Sequence, residues 1–329
     1  MKRVLLYILC LAFLCFLIPI VFTKRNNLEQ VDSNIVDKKI EETKYDYKEY
    51  NTVKLLHTAT GEIEELDLDE YLLGVVSAEM PANFEEEALK AQAVVARTYT
   101  IYKILNGTKH EKAHICDDPK CCQAWISKEE RFAKWNEQEA ESNWEKIKQA
   151  VVSTRGKIIT YEGLPINAFF HSNSGGITDT ASNVWGGSNY PYLQAVATVG
   201  EDNYTQYNSE VLLTKEEFIS KIKEYHSDFE INFDEDNPIQ ILEYTEGERI
   251  KTIKIGNLNL SGVEIRNIFD LKSAKFEIII DGENIKFNVI GYGHGVGMSQ
   301  TGADSMAKEE KNYEEIIKHF YTGVEITNI

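Results

Sequence analysis

The sequence predicts an α+β fold in which helices and antiparallel strands form a main core, with a smaller inserted lobe and one transmembrane helix in front. Small and apolar residues recur at Ala88, Ala91 and Val95 with the spacing of one buried helix face. Short β-rich segments are separated by glycine turns, as in antiparallel hairpins. An apolar run of membrane-spanning length stands near the N-terminus.

The N-terminal apolar run extends from Val4 to Phe22, is interrupted only by Pro19, and has basic residues on both sides. A cleaved signal peptide would end in small residues, whereas this run ends in Ile-Val-Phe. We therefore expect an uncleaved membrane anchor over residues 1–25. The flanking charges are nearly balanced and do not orient it. A short N-terminal tail before a long C-terminal domain favours an extracytoplasmic domain.

The composition is that of a globular protein, because 43% of its 329 residues are hydrophobic. Its formal net charge is -18. Nucleic acids and anionic membrane surfaces both select clustered Lys and Arg, so neither is expected as the main partner. Residues 26–50 are charged and poor in large apolar side chains, which predicts a stalk, and residues 51–329 predict the folded domain.

The first elements of the folded part are placed by caps, turns and periodicity. Asp67, with Glu70 three residues later, resembles a capping box, so a helix follows that ends near Glu79. Gly156 is expected to terminate a later helix. The predicted elements are a hairpin at 53–57 and 62–66, helices at about 84–105 and 143–154, and strands at 157–161 and 166–170.

The pattern changes between about residues 200 and 283, which predicts the inserted lobe. Thr214 and Glu217 form a capping box that begins a short helix. Strand-like runs and a hairpin that turns at Gly282 follow. These predicted strands are 239–244, 249–255, 276–280 and 285–290.

Glu79 is the candidate catalytic acid. Pro81 cannot continue a helix, so Glu79 is predicted in the last turn of the helix before it. In the next helix Lys90 and Arg97 are predicted together on the side opposite the apolar stripe, where they would surround the acid with positive charge. The alternatives are a solvated surface glutamate and solvated helix cations. Gln92 falls on the apolar side, where a buried amide must be hydrogen-bonded, and we expect a neighbouring loop of the site as its partner.

Two glycine-rich loops have the composition of ligand-binding loops. The first, FFHSNSGG, starts at Phe169, and the second, GYGHGVGMSQ, starts at Gly291. Glycines with small hydroxyl and amide side chains let a backbone approach a polar ligand closely, although each loop alone could be an ordinary turn. The candidate substrate-binding residues in them are His171, Ser172, Ser174, His294, Ser299 and Gln300.

The cysteines and histidines between 110 and 122 predict a metal site. Cys116, Cys121 and Cys122 are an odd set, and zinc prefers Cys and His in tetrahedral geometry. The spacing of His110, Cys116 and Cys122 can wrap one zinc ion and leaves a fourth position for water or Glu79. The alternative is a disulfide from Cys116 to one of the two neighbouring cysteines.

Tyr190 and Tyr192, near Trp185, are candidates for stacking on sugar faces. Packing in the hydrophobic core is an equally good interpretation of both tyrosines.

Five ordered blocks spread from about residue 50 to the C-terminus resemble the stage II sporulation protein D family. The blocks are SAEMPANFEEEALKAQAVVARTY, ICDDPKCCQAW, FFHSNSGG, VWGG followed by YPYL, and GYGHGVGMSQTGA. Thr301 departs from the aromatic residue expected after GHGVGMSQ. The family comprises peptidoglycan lytic transglycosylases of endospore formers and shares its domain with amidase-enhancer proteins. Some clostridial members hold zinc at the active site.

The resemblance implies a membrane-anchored enzyme that cuts glycan strands during spore engulfment. Such an enzyme needs one carboxyl group, here Glu79, and leaves 1,6-anhydro-N-acetylmuramic acid ends. Lys90 and Arg97 are then candidate substrate-binding residues that hold the lactyl or peptide carboxylates of the strand, or that orient Glu79. The resemblance also implies denuded strands as substrate, a sporulation amidase (stage II sporulation protein P) and a membrane scaffold protein as partners, and a location on the mother-cell side of the engulfing membrane. One alternative is a non-catalytic activator of an amidase. The other is a zinc hydrolase that cuts the stem peptide, which is less well supported because the sequence has no H-E-x-x-H motif.

Overall fold

The computed structural model describes residues 47–187 and 190–329. The predicted anchor, and the stalk up to residue 46, lie outside the described residues, and Tyr47–Tyr50 form one 3-10 turn. Among the described residues, no helix has the length and apolarity needed to cross a bilayer. The transmembrane helix therefore stays a prediction, whereas the mixture of helices and antiparallel strands is confirmed.

Helices and strands alternate irregularly along the chain. The helices are α1 (Leu68–Glu79), α2 (Glu86–Asn106), α3 (Lys128–Lys134), α4 (Glu137–Ser153), α5 (Ala181–Trp185), α6 (Lys215–Lys223), α7 (Gly262–Ile268), α8 (Gln300–Lys308) and α9 (Tyr313–Phe320). The strands are β1 (Thr52–Leu56), β2 (Ile63–Asp67), β3 (Ile115–Cys116), β4 (Lys157–Tyr161), β5 (Leu164–Pro165), β6 (Phe170–His171), β7 (Asn208–Thr214), β8 (Ile239–Tyr244), β9 (Ile250–Ile255), β10 (Leu258–Ser261), β11 (Phe276–Asp281), β12 (Asn284–Ile290), β13 (Met298–Ser299) and β14 (Glu325–Asn328).

Helix α2 lies at the centre of the main core. Its residues from Leu89 to Ile101 are buried with one exception, Lys90, which is half-buried. Helices α1, α4, α8 and α9 and strand β4 all pack against it. A helix surrounded in this way has no solvent-facing side in its middle turns. Any polar residue there must find its partners inside the protein.

Three small sheets border this core, in the strand orders β2-β1-β3, β14-β4-β5 and β13-β6. The first contains the predicted hairpin, with Val53 opposite Leu66. The prediction of one strand over 166–170 is wrong: Leu164–Pro165 pair with β4, whereas Phe170–His171 pair in parallel with Met298–Ser299. That short parallel pair joins the two glycine-rich loops.

A second core is built by residues between 211 and 289. Its sheets have the orders β10-β9-β8 and β11-β12-β7, and the rings of Phe218, Phe269 and Phe287 pack against one another in this core. Thr214 forms the predicted capping box with Glu217 at the start of α6. This core coincides with the segment predicted as an inserted lobe. Its status as a separate domain stays a prediction.

Candidate functional site

Glu79 is the last residue of α1, and the chain turns sharply after it. Met80 has an extended backbone (φ -119°, ψ 140°), as expected for a residue before proline, and its side chain is 1% exposed. The buried Met80 side chain fixes the end of the helix, so the Glu79 carboxylate has a defined position. One carboxylate oxygen accepts a hydrogen bond from the Ala124 amide at 2.6 Å, and the other accepts one from Gln300 Nε2 at 3.3 Å.

Burial raises the pKa of Glu79 above its ordinary value, and the hydrogen bonds from Ala124 and Gln300 oppose that rise only in part. Glu79 therefore keeps its proton at a higher pH than a solvated glutamate does. A carboxyl group with this property can donate a proton near neutral pH.

The Glu79 carboxyl group lines a cleft of about 250 Å³. Its side chains are mostly apolar or neutral, and Glu79 is the only carboxylate among the residues of the described chain that line it. The lining residues are Ala78, Glu79, Met80, Pro81, Phe84, Arg131, Ser172, Gln206, Gln300 and Thr301. Of the predicted site residues, the structure brings Glu79, Ser172 and Gln300 together here.

Gln300 reaches the cleft because α8 begins there. Ser299 is the N-cap of α8 and its hydroxyl accepts from the Gly302 amide, so Gln300 occupies the first turn. Its Nε2 also lies 3.5 Å from Gln92 Oε1, and Gln92 is fully buried on α2. The expected partner of Gln92 in a loop of the site is thus Gln300.

The Ala124 amide is held in place by the residue before it. Gln123 is 1% exposed, and its Nε2 donates to the Tyr71 hydroxyl at 2.8 Å and to Thr100 Oγ1 at 3.0 Å. Tyr71 belongs to α1 and Thr100 to α2. The segment after the cysteines is therefore fixed to both helices, and its amide points at Glu79.

Ser174 and Ser299 do not face the cleft, because both are fully buried and donate to the carboxylate of Glu201. The Ser174 and Gly176 amides and the hydroxyls of Thr198 and Thr301 donate to the same carboxylate. Burial raises the pKa of Glu201, but the hydrogen bonds from Ser174, Ser299 and Thr198 outweigh it and lower the pKa overall. Glu201 thus fastens the first glycine-rich loop to the start of α8.

The two loop histidines lie outside the cleft lining. His171 is 5% exposed, and its Nδ1 donates to the Val296 carbonyl at 3.2 Å. Burial and the positive charge of Arg249 lower the pKa of His171 to about 3. Burial also lowers the pKa of His294 well below its ordinary value, and the His294 ring packs 4.9 Å from that of Trp185. Both imidazoles are neutral at physiological pH.

The structure favours core packing for Tyr192, which is 7% exposed and accepts from the Asn167 amide through its hydroxyl. Tyr190 is half-buried, with its ring 5.6 Å from that of Tyr192. Neither tyrosine lines the cleft. Trp185 is 49% exposed beside Phe169.

The prediction that Lys90 and Arg97 surround the acid is wrong for Arg97, which is fully buried. Its guanidinium donates to the carbonyls of Val151 and Thr154 and lies 3.6 Å from Asp69. The error arises because both sides of α2 are buried. Lys90 pairs with Glu86 and Glu87 at the start of α2 and is absent from the cleft lining.

A cluster of His110, Cys116, Cys121 and Cys122 could hold a metal ion, since its ligand atoms all lie within 4.8 Å of one another. His110 Nε2 is 3.4 Å from Cys121 Sγ, and the two neighbouring sulfurs are 3.6 Å apart. Ligand atoms about 2.3 Å from a tetrahedral zinc would be about 3.8 Å apart. The donor set therefore fits zinc, and the cysteines are free rather than joined in a disulfide.

Cys121 lies in this cluster as a fourth candidate ligand, which the predicted set of His110, Cys116 and Cys122 did not include. Glu79 is not part of it, because its oxygens bond Ala124 and Gln300. Cys122 lies two residues before Ala124, so the cluster and the acid are neighbours along one segment. A four-ligand set of this kind is typical of structural zinc sites.

Three residues of the cleft and its supporting contacts were missed at the sequence level: Arg131 and Gln206, which line the cleft, and Glu201, which holds the loops beside it. Arg131 lies on α3, which begins with a capping box between Ser127 and Glu130 that the sequence does show. For Glu201 the signal is absent, because its partners other than Thr198 are 25 to 100 positions away.

Comparison with known proteins places the chain in a family. A family model described as stage II sporulation protein matches residues 57–161. The chain is similar to stage II sporulation protein D of Bacillus subtilis (strain 168), with 37% identity over 84% of this chain and 79% of that protein. The chain is also similar to stage II sporulation protein D of Bacillus amyloliquefaciens, with 36% identity over 84% of this chain and 78% of that protein. An amidase enhancer of Bacillus subtilis is 30% identical over 78% of this chain and 40% of its own length. This chain belongs to the stage II sporulation protein D family.

Proposed function

We propose that this protein is a lytic transglycosylase that cleaves the bond between N-acetylmuramic acid and N-acetylglucosamine, with Glu79 as its single acid and base. The observation that supports the proposal most is that, among the described residues, Glu79 is the only carboxylate that lines the cleft, and its pKa is raised. Hydrolases of glycosidic bonds usually carry two carboxyl groups, one on each side of the bond. A reaction in which a hydroxyl of the same sugar attacks C1 requires only one carboxyl group.

In the proposed reaction, protonated Glu79 gives its proton to the oxygen that leaves C1 of the muramoyl residue. The C6 hydroxyl of the same sugar attacks C1 and returns its proton to the Glu79 carboxylate. The C1–O bond to the next sugar breaks, a C1–O6 bond forms, and no water is consumed. The carboxylate that exists between the two proton transfers accepts hydrogen bonds from Ala124 and Gln300, which hold it in place.

We further propose that the cluster of three cysteines and His110 binds zinc as a structural site. A bound ion would fix the segment that carries the Ala124 amide. Zinc would supply rigidity there, since four protein ligands leave no position for a substrate or water.

We place the protein on the extracytoplasmic face of the membrane, anchored through residues 1–25, on the mother-cell side during engulfment. Peptidoglycan lies on that side, and the relatives are named for sporulation. A sporulation amidase, stage II sporulation protein P, and a membrane scaffold protein are proposed partners. An alkaline carbonate wash should leave the full chain in the membrane fraction; a soluble product that begins after Phe22 would contradict the anchor.

A second candidate function is a non-catalytic activator of an amidase, which the similarity to an amidase enhancer favours. That similarity covers 40% of the enhancer. A protein of this kind needs to bind glycan but does not need a protonated glutamate in a cleft.

Mass spectrometry of muropeptides separates the two functions. Glycan incubated with the full chain should acquire 1,6-anhydro ends if the protein is a transglycosylase. Unchanged glycan, together with faster amide cleavage by an added amidase, would support the activator instead.

A further inference from the structure

Arg131 is a second charged residue in the cleft, opposite in sign to Glu79. It lies on α3, which packs against α1, the helix that delivers Glu79. Arg131 and Glu79 are the charged side chains among the described residues that line the cleft.

The guanidinium of Arg131 lacks an internal counterion. No carboxylate of the described chain forms an ion pair with it, and its Nε is buried without a hydrogen-bond acceptor. Arg97 shows the contrast, because its buried guanidinium bonds backbone carbonyls and approaches Asp69. Burial also lowers the pKa of Arg131 below its ordinary value.

Arg131 is nevertheless held in a defined orientation. Its guanidinium carbon lies 4.7 Å from the centre of the Trp135 ring, which is the geometry of a cation-π contact. A stacked arginine presents its remaining donors in a fixed fork that matches a carboxylate. Partial burial of a positive charge without a partner costs free energy, and an anion bound in the cleft would recover it.

Glu79 does not supply that anion in the proposed reaction, because the reaction begins with Glu79 protonated and neutral, a form that its raised pKa favours. The charge carried by the lining residues of the cleft is then that of Arg131. The complementary ligand is a carboxylate next to the bond that Glu79 protonates.

We propose that Arg131 binds the free lactyl carboxylate of the muramoyl residue in the cleft and so selects glycan strands whose stem peptides have been removed. The substrate class rests on the proposed function. A lactyl group joined to a stem peptide is an amide without charge, whereas removal of the peptide leaves a carboxylate on the sugar whose C1 reacts. Arg131 is thus a specificity-determining residue that distinguishes the two strands.

Binding to three strand preparations tests the proposal without relying on turnover. The full chain carrying Glu79→Gln is mixed with denuded strands, with denuded strands whose lactyl carboxylates are converted to primary amides, and with peptide-bearing strands. The amidated strands isolate the lactyl charge, and the peptide-bearing strands reveal any response to carboxylates of the peptide. We expect denuded strands to bind about 10- to 100-fold more tightly than amidated ones, as a hydrogen-bonded charge pair implies.

Arg131→Gln, added to the Glu79→Gln chain, should remove this preference by weakening the binding of denuded strands alone. Arg131→Lys should restore it in part, because the charge returns without the fork. Lys134→Gln, which removes one positive charge from an exposed position of the same helix, should leave the preference intact. A thermal melt of each variant checks that it is folded.

Equal binding of denuded and amidated strands by the Glu79→Gln chain would overturn the proposal without any change at Arg131. The proposal would also be overturned if Arg131→Gln lowered the affinity for all three strand preparations equally, or if Lys134→Gln caused the same loss of affinity. Preference for peptide-bearing strands would assign Arg131 to the peptide instead. Failure to form anhydro ends would refute the transglycosylase function but leave these binding results unaffected.

Discussion

Replacement of Glu201 by glutamine should destabilise the protein more than any neutralisation of a surface acid. Each Glu201 oxygen accepts from one backbone amide and two hydroxyls: Ser174 N, Ser299 and Thr301 on one, and Ser174 Oγ, Gly176 N and Thr198 on the other. Hydroxyls can rotate to accept a hydrogen bond, but backbone amides cannot. In Glu201→Gln, the side-chain NH₂ must therefore face the N–H of either Ser174 or Gly176, and two donors then meet without an acceptor.

The expected loss in the free energy of unfolding is about 3–5 kcal/mol. An unsatisfied buried donor costs about 1–3 kcal/mol. Each hydrogen bond that remains falls from about 1.5–3 kcal/mol with a charged acceptor to about 0.5–1.5 kcal/mol with a neutral one, and these losses are not additive. Because whole domains are stable by only about 5–15 kcal/mol, this change is large.

Urea unfolding followed by tryptophan fluorescence measures the effect, and Asp202→Asn is the matched control. Asp202 is the next residue and is exposed, so its neutralisation should change the free energy of unfolding by less than about 0.5 kcal/mol. Equal stability of the Glu201→Gln and Asp202→Asn proteins would refute the hydrogen-bonding role of Glu201.

The same role predicts a pH dependence. The pKa of Glu201 is lowered on folding, so its contribution is present above the pKa of an unfolded glutamate and is lost as pH falls through the folded value. The stability difference between wild type and Glu201→Gln should therefore shrink in acid. A difference that grows as pH falls would contradict the argument.

Two further predictions concern the acid and the metal. Gln300→Ala removes a donor that stabilises ionised Glu79, so the pKa of Glu79 should rise further and the alkaline limb of the kcat/KM profile should move to higher pH; a move to lower pH would contradict this role. The full chain should purify with about one zinc ion, which Cys121→Ser or His110→Ala should remove and His114→Ala should not, because His114 Nδ1 accepts from the Lys54 amide instead. Elemental analysis measures the zinc, and its absence together with a Cys–Cys crosslink by mass spectrometry would contradict the site.

The parts of the fold set by short-range rules could be predicted from sequence. Pro81 places Glu79 at a helix end, and Asp67 caps α1 by accepting from the amides of Asp69 and Glu70. The strand 239–244 was predicted with the bounds that the structure has. Each of these features depends on neighbours within a few residues, so the sequence around it contains the cause.

The environment of a residue is harder to predict when it depends on packing from distant segments. The periodicity of α2 identified one apolar side but gave no sign that Arg97 would be covered on the other side by α4 and β4. The serines of the glycine-rich loops suggested ligand contacts, yet Ser174 and Ser299 bond Glu201. Composition indicated polar loops correctly but could not tell whether their partner was a substrate or the protein itself.

Arg131 illustrates the same limit for the site. Helix periodicity offered Lys90 and Arg97, on the next helix, as cations near Glu79, whereas the described cation that lines the cleft is 52 positions from the acid. Only the packing of α3 against α1 brings it there.

The most direct test of the central claim is the count of 1,6-anhydro ends formed by wild type, Glu79→Gln and Glu70→Gln on denuded glycan. Glu70 is an exposed carboxylate on the same helix, so its replacement controls for the loss of one charge. Glutamine at position 79 keeps the size of the side chain but removes the transferable proton, and the rate should fall by about 10² to 10⁴ while glycan binding persists. The Glu70 variant should match wild type. Anhydro ends at the wild-type rate from Glu79→Gln would contradict the account.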